Sequence, residues 1–121
     1  MSLFSNFLLN SFSHSLKKIL YHGEGCWCPV CEASLKSFLP MGVNPRPNAL
    51  CPVCRSLERH RMIWLYLKNE TDLFSDCRKK MLHIAPEHCF FEKLIKMSHI
   101  DYITADLKNR AMVEMDITNI Q

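Results

Sequence analysis

Glycine is scarce in this chain: three residues of 121, and none after Gly42. The glycine-rich turn of ordinary dinucleotide sites is therefore missing from the second half. Long apolar runs are missing too. No stretch approaches the roughly 18 uninterrupted apolar residues that a membrane span needs. The opening segment, MSLFSNFLLNSFSHSLKKIL, does not read as a secretory signal. Ser5, Asn6, Asn10, Ser11 and Ser13 break its apolar run, and Lys17 and Lys18 follow that run instead of leading it. Charge of one sign is not in large excess. The net charge of +3 is compatible with nucleic acid but does not argue for it. Low-complexity tracts are absent.

Cysteine is what the chain has in quantity. Seven cysteines could build a disulfide framework, but the number is odd and four of them form two tight Cys-x2-Cys pairs. That usage points to a metal site in a reducing compartment, and a cytoplasmic location is expected. Apolar residues make up 48% of the chain, enough to pack one modest domain or two very small ones.

Three regions follow from composition. Residues 1–22 place Leu3, Phe4, Phe7, Leu8, Phe12, Leu16, Ile19 and Leu20 at helical spacing. An amphipathic helix packed on the protein or on a partner is expected there, with a membrane-surface role as the alternative. Residues 23–56 hold all the glycines and five of the six prolines, and read as loop-rich without a core of their own. From 57 to 121 the order reads helix, strand, helix, strand, turn, strand. Ser56 is a candidate N-cap for a helix running to about Lys68. Strands are expected over Lys80–Ala85, Asp101–Asp106 and Met112–Asp116, with a helix carrying Phe90, Phe91, Leu94, Ile95 and Met97 between the first two. This is the opening of an α/β unit with a parallel sheet, and the chain reads as ending inside it.

Cys28-Pro-Val-Cys31 and Cys51-Pro-Val-Cys54 stand 19 residues apart. Two such pairs at that distance are a strong zinc signature, and four thiolates suit a closed structural site. Pro29 and Pro52 stiffen the two turns. The clamp stands in for the core that residues 23–56 lack. Cys26 or His22 could substitute as a ligand. Cys77 and Cys89 read as isolated small hydrophobes. Arg55, Arg59, His60 and Arg61 form either a phosphate-contacting patch or a solvated helix face with capping and salt-bridge roles.

Ligands of open α/β sheets bind at the carboxyl ends of the strands. Here the first such turn is His83-Ile84-Ala85-Pro86-Glu87. Asp106 ends the second strand, where an acid meets ribose hydroxyls, or it is a plain turn residue. Asp116 ends the third, close to the same pocket.

CPVCRSLERHR, MLHIAPE, YITADL and DITNIQ, in this order and spacing, resemble a bacterial group of class I S-adenosylmethionine-dependent methyltransferases. These are relatives of the type-11 enzymes with a paired-cysteine segment ahead of the catalytic domain. The resemblance covers about residues 25–121. It implies a Rossmann-like sheet, here only its first part, after a small zinc-knuckle segment. It implies S-adenosylmethionine as cofactor, with His83 to Glu87 beside its methionine part. Asp106 would accept from the ribose hydroxyls, and Asp116 and Ile117 would border the adenine. Ala85, Pro86 and Glu87 stand where such enzymes usually have glycines. Glu87 either pairs with the cofactor's ammonium or caps the following helix. The methyl acceptor is not identified, and no catalytic residue is assigned. The alternative function is a zinc-knuckle module contacting nucleic acid or a protein partner. A partial sheet also implies a partner chain or second copy over its open edge.

Overall fold

The computed structural model describes residues 14–108 and 111–120. Of the expected lead-in helix, Leu3, Phe4, Phe7, Leu8 and Phe12 lie outside the described residues. Residues 14–20 are helical (α1), and Leu16, Ile19 and Leu20 on it are exposed. The chain divides into two compact units, Met1–Glu70 and Thr71–Gln121. The helix grouped with the sheet in the sequence reading thus falls with the cysteine segment.

In the first unit, the loop-rich segment is two antiparallel hairpins. β1 (His22–Cys28) pairs with β2 (Ala33–Leu35), and β3 (Leu39–Met41) pairs with β4 (Arg46–Leu50). The first Cys-Pro-Val-Cys is the turn of the first hairpin. The second leads from β4 to helix α2 (Glu58–Glu70). β1 is bulged, because His22 and Cys26 both oppose Leu35. Gly25 permits this: a Cβ there would overlap the Lys36 carbonyl.

The buried stripe of α2 is His60, Arg61 and Trp64. Met62, Ile63, Leu65 and Tyr66 are exposed. The reason is local. α2 faces backbone carbonyls, which need hydrogen-bond donors that aliphatic side chains cannot supply.

The second unit is a three-stranded parallel sheet in sequence order: β5 (Lys79–Ile84), β6 (Ile100–Asp106) and β7 (Val113–Glu114). Helix α3 (His88–Leu94) makes the crossover between β5 and β6. The register runs from Lys79 opposite Ile100 to Ile84 opposite Ala105. The Ala85 N–H continues the ladder to the Ala105 carbonyl at 2.8 Å. One face packs on α3, with Phe90 against His83 and Phe91 against Tyr102 at ring separations of 6.2 and 6.0 Å. Leu82, Ile84 and Ile103 are exposed. The first two expected strands match within a residue at each end. The third is shorter than expected, since β7 stops at Glu114. The fold is mixed α/β with small sheets.

Candidate functional site

Cys28, Cys31, Cys51 and Cys54 converge, with their Sγ atoms all within 4.8 Å of one another. Sγ of Cys28 lies 3.7 Å from that of Cys54, and Sγ of Cys31 lies 3.8 Å from that of Cys51. A disulfide would bring sulfurs to about 2.05 Å. Thiolates about 2.3 Å from one tetrahedral ion stand about 3.8 Å apart, so the cluster fits zinc. All four are buried. Cys26 is half-buried in β1 and His22 is exposed at its start, and neither belongs to the converging group.

The two turns repeat one backbone design. The N–H of Glu32 donates to the Cys28 carbonyl at 2.8 Å, and the N–H of Arg55 to the Cys51 carbonyl at 2.9 Å. Both residues are left-handed, with φ of 57° and 63°. Val30 and Val53 are both 1% exposed, so the repeated "PV" is packing as well as stiffening.

Four thiols this close cannot hold protons independently. Hydrogen bonds, that with Cys31 first, hold Cys28 far below an ordinary thiol. The same bonds, that with Cys28 first, push Cys31 far up. At Cys51 the bond with Cys28 acts upward, those with Cys31 and Cys54 act downward, and the result is lowered to about 7. Cys54 is raised, chiefly by its bond with Cys28. A divalent cation resolves this conflict by taking all four as thiolates.

Ser56, expected to cap α2, instead turns its hydroxyl to the sulfurs. Oγ lies 3.1 Å from Cys54 Sγ and 3.5 Å from Cys28 Sγ. The helix start is served by His60, whose Nδ1 accepts from the Leu57 N–H at 3.1 Å. Arg61 was expected on a phosphate patch or a solvated face, and it is neither. It is 8% exposed. Nη1 donates to the Ser56 carbonyl at 2.8 Å and Nη2 to the Ala49 carbonyl at 2.9 Å. The guanidinium also sits 3.8 Å over the Phe38 ring. Arg61 therefore ties α2 to the end of β4 and the second turn. Arg55 and Arg59 are exposed.

At the C-terminal edge of the sheet, His83 is held from both sides. Its Nε2 is 2.9 Å from Glu87 Oε2, and its Nδ1 is 2.8 Å from the Tyr102 hydroxyl. An ionised carboxylate only accepts, so the proton of this contact sits on Nε2, and in a neutral ring Nδ1 then accepts from the Tyr102 hydroxyl. Burial, with the Glu87 charge second, pushes Tyr102 up to about 12. Glu87 is the N-cap residue of α3, but its side chain makes no capping bond. Its carboxylate therefore stands at the helix N-terminus without a hydrogen bond to it. Ala85 is left-handed, with φ of 50°, where a glycine would be unstrained.

Asp106 ends β6, and its Oδ1 accepts from the Leu107 N–H at 2.7 Å. Asp116 does not end a strand. It lies beyond β7, where Oδ1 accepts from the Thr118 N–H and hydroxyl at 2.8 and 2.6 Å. Those bonds hold its carboxyl below the usual range. Ile117 beside it is exposed. The structure thus joins His83, Glu87 and Tyr102 by contact, with Ala85 in the same turn. It sets Asp106 at the same sheet edge and leaves Asp116 and Ile117 in an exposed turn. Tyr102 was missed because it reaches His83 diagonally, while the residue in register with His83 is Thr104, and nothing local in the sequence marks either.

No family model matches the chain, and comparison with curated proteins and with solved structures likewise gives no match.

Proposed function

We propose that the chain carries a structural zinc unit followed by the first part of a Rossmann-like, S-adenosylmethionine-binding unit of a methyltransferase. The observation that carries this reading is the sheet edge of the second unit. Three parallel strands run in sequence order through a helical crossover, and Asp106 ends the second of them. That is where an α/β sheet places an acid for ribose hydroxyls. The left-handed turn at Ala85 bends the chain away at the end of β5, beside it in register.

In this reading the turn from His83 to Glu87 lies along the methionine part of the cofactor. Glu87 offers a carboxylate to its ammonium, and His83, fixed by Tyr102, orients that carboxylate. The cofactor supplies a sulfonium that is a good leaving group, so the protein's task is alignment. Asp116 and Ile117 would reach the adenine only from their turn beyond β7. Zinc held by Cys28, Cys31, Cys51 and Cys54 is structural, because four thiolates leave no open position. Thiols kept in this form belong in a reducing compartment, which favours the cytoplasm. Among the described residues no helix is long and apolar enough to cross a membrane.

Calorimetric titration of the zinc-loaded chain with S-adenosylmethionine tests the reading. Binding heat that Asp106→Ala abolishes would support it. Absence of heat from chain whose second unit is folded, or heat indifferent to Asp106→Ala, would sink it.

A further inference from the structure

The first unit carries eight Lys and Arg against four Asp and Glu, whereas residues 71–121 carry seven against eight. The chain's positive charge therefore resides with the cysteine clamp. Arg61 is buried and Arg46 is paired with Glu58, but Lys18, Lys36, Arg55, Arg59 and Lys68 are exposed. On the same unit Trp27 is 49% exposed, although both its neighbours in β1 are more buried. Trp64, by contrast, is 7% exposed. A half-exposed indole forgoes much of the burial an aromatic ring offers.

Trp27 opposes Ser34 across the first hairpin. Lys36 follows β2 directly and is exposed, packed along the bulge at Gly23 and Gly25. The outer face of the hairpin therefore presents a flat ring and a hydroxyl, with an exposed lysine at the bulged end of the same two strands. Its other face is fixed by Cys28, Ala33 and Leu35, all buried. Glu24 lies in the β1 bulge and Glu32 in the turn, off the Trp27–Ser34 pair.

We propose that this hairpin face binds single-stranded nucleic acid. Trp27 stacks on an unpaired base, Lys36 meets the adjacent phosphate, and Ser34 offers a hydrogen bond to sugar or base. Aromatic rings beside cations are the elements that single strands use, and duplex bases have no free face to stack. One ring is too little apolar surface for protein docking or lipid insertion. The inference is independent of the cofactor reading, since it rests on the first unit alone.

The test uses the full zinc-loaded chain and an end-labelled oligouridylate of about ten nucleotides, followed by fluorescence anisotropy. Trp27→Ala is expected to weaken binding about 5- to 100-fold, while Trp27→Phe keeps most of it. Lys36→Gln is expected to flatten the slope of log affinity against log salt by about 0.7. Zinc content equal to the parent shows that each variant retains its clamp. The proposal is overturned if the oligonucleotide does not bind, if Trp27→Ala with full zinc binds as the parent does, or if duplex RNA competes equally. It is equally overturned if Trp27 emission answers to anionic phospholipid vesicles and not to oligonucleotide.

Discussion

At the scale of single residues, Arg61 shows how far burial can reverse a charge-based expectation. The sequence places it in a basic run, yet the fold spends its donors on the Ser56 and Ala49 carbonyls. Removing it takes a charged donor from each, though the Ser56 carbonyl keeps the Cys51 N–H at 2.9 Å, so Arg61→Ala should cost about 1–3 kcal/mol in urea unfolding of the zinc-loaded protein. Lysine should not rescue it, because one ammonium cannot reproduce the planar fork. Ser56 makes a second case. Ser56→Ala deletes the hydroxyl beside two sulfurs and should lower zinc affinity about 10- to 100-fold in chelator competition. Tyr102 gives a pH signature. Its ionisation is raised from 10.0 to about 12 in the fold, so its neutral form is favoured there. That stability is fully present below the unfolded value and is lost as pH rises through the folded one. Ultraviolet titration should show a late tyrosine ionisation, absent from Tyr102→Phe.

At the scale of elements, the two Cys-Pro-Val-Cys turns are one design used twice. Each ends on a left-handed, non-glycine residue whose N–H returns to the first cysteine's carbonyl. The repeat was legible in the sequence, and so was its pairing into one cluster. The strain at Glu32 and Arg55 was not, because nothing about Glu or Arg announces a positive φ. A β-branched side chain tolerates that region worst. Arg55→Val should therefore destabilise the unit by about 1–2 kcal/mol in the same unfolding measurement. In α2 the helix itself was legible but its buried face was not. Helical periodicity finds apolar stripes, and here the inward stripe is His60, Arg61 and Trp64. In the sheet, strand ends were read well because the short apolar run of β5 is closed by Pro86 and β6 is a β-branched and aromatic run. β7 is the exception: past Glu114 the Met115 N–H still reaches the Asp106 carbonyl at 2.9 Å, but Asp116 turns away to cap Thr118.

For the molecule as a whole, the first unit is expected to depend on a metal held by its four converging cysteines. Among its described residues the buried apolar side chains are few and small beyond Leu35, Leu50 and Trp64, and the four cysteines are buried with them. Chelation should therefore expose Trp64 and shift its emission to the red. Acidification should do the same, since protons compete with the metal for thiolates. Both tryptophans lie in the first unit, so this signal reports on that unit alone.

The sequence by itself determined the paired-cysteine clamp, the order of strands and helices after it, and the absence of a glycine-rich phosphate loop. Spacing and residue type carry those features, and both are local. Only the tertiary structure decided that the loop-rich segment is two hairpins and that Arg61 is buried. It also set His83 between Glu87 and Tyr102, and left Trp27 facing water. Each of those depends on which backbone groups and side chains meet across the fold, and that is fixed by register and burial, which no single stretch of sequence contains.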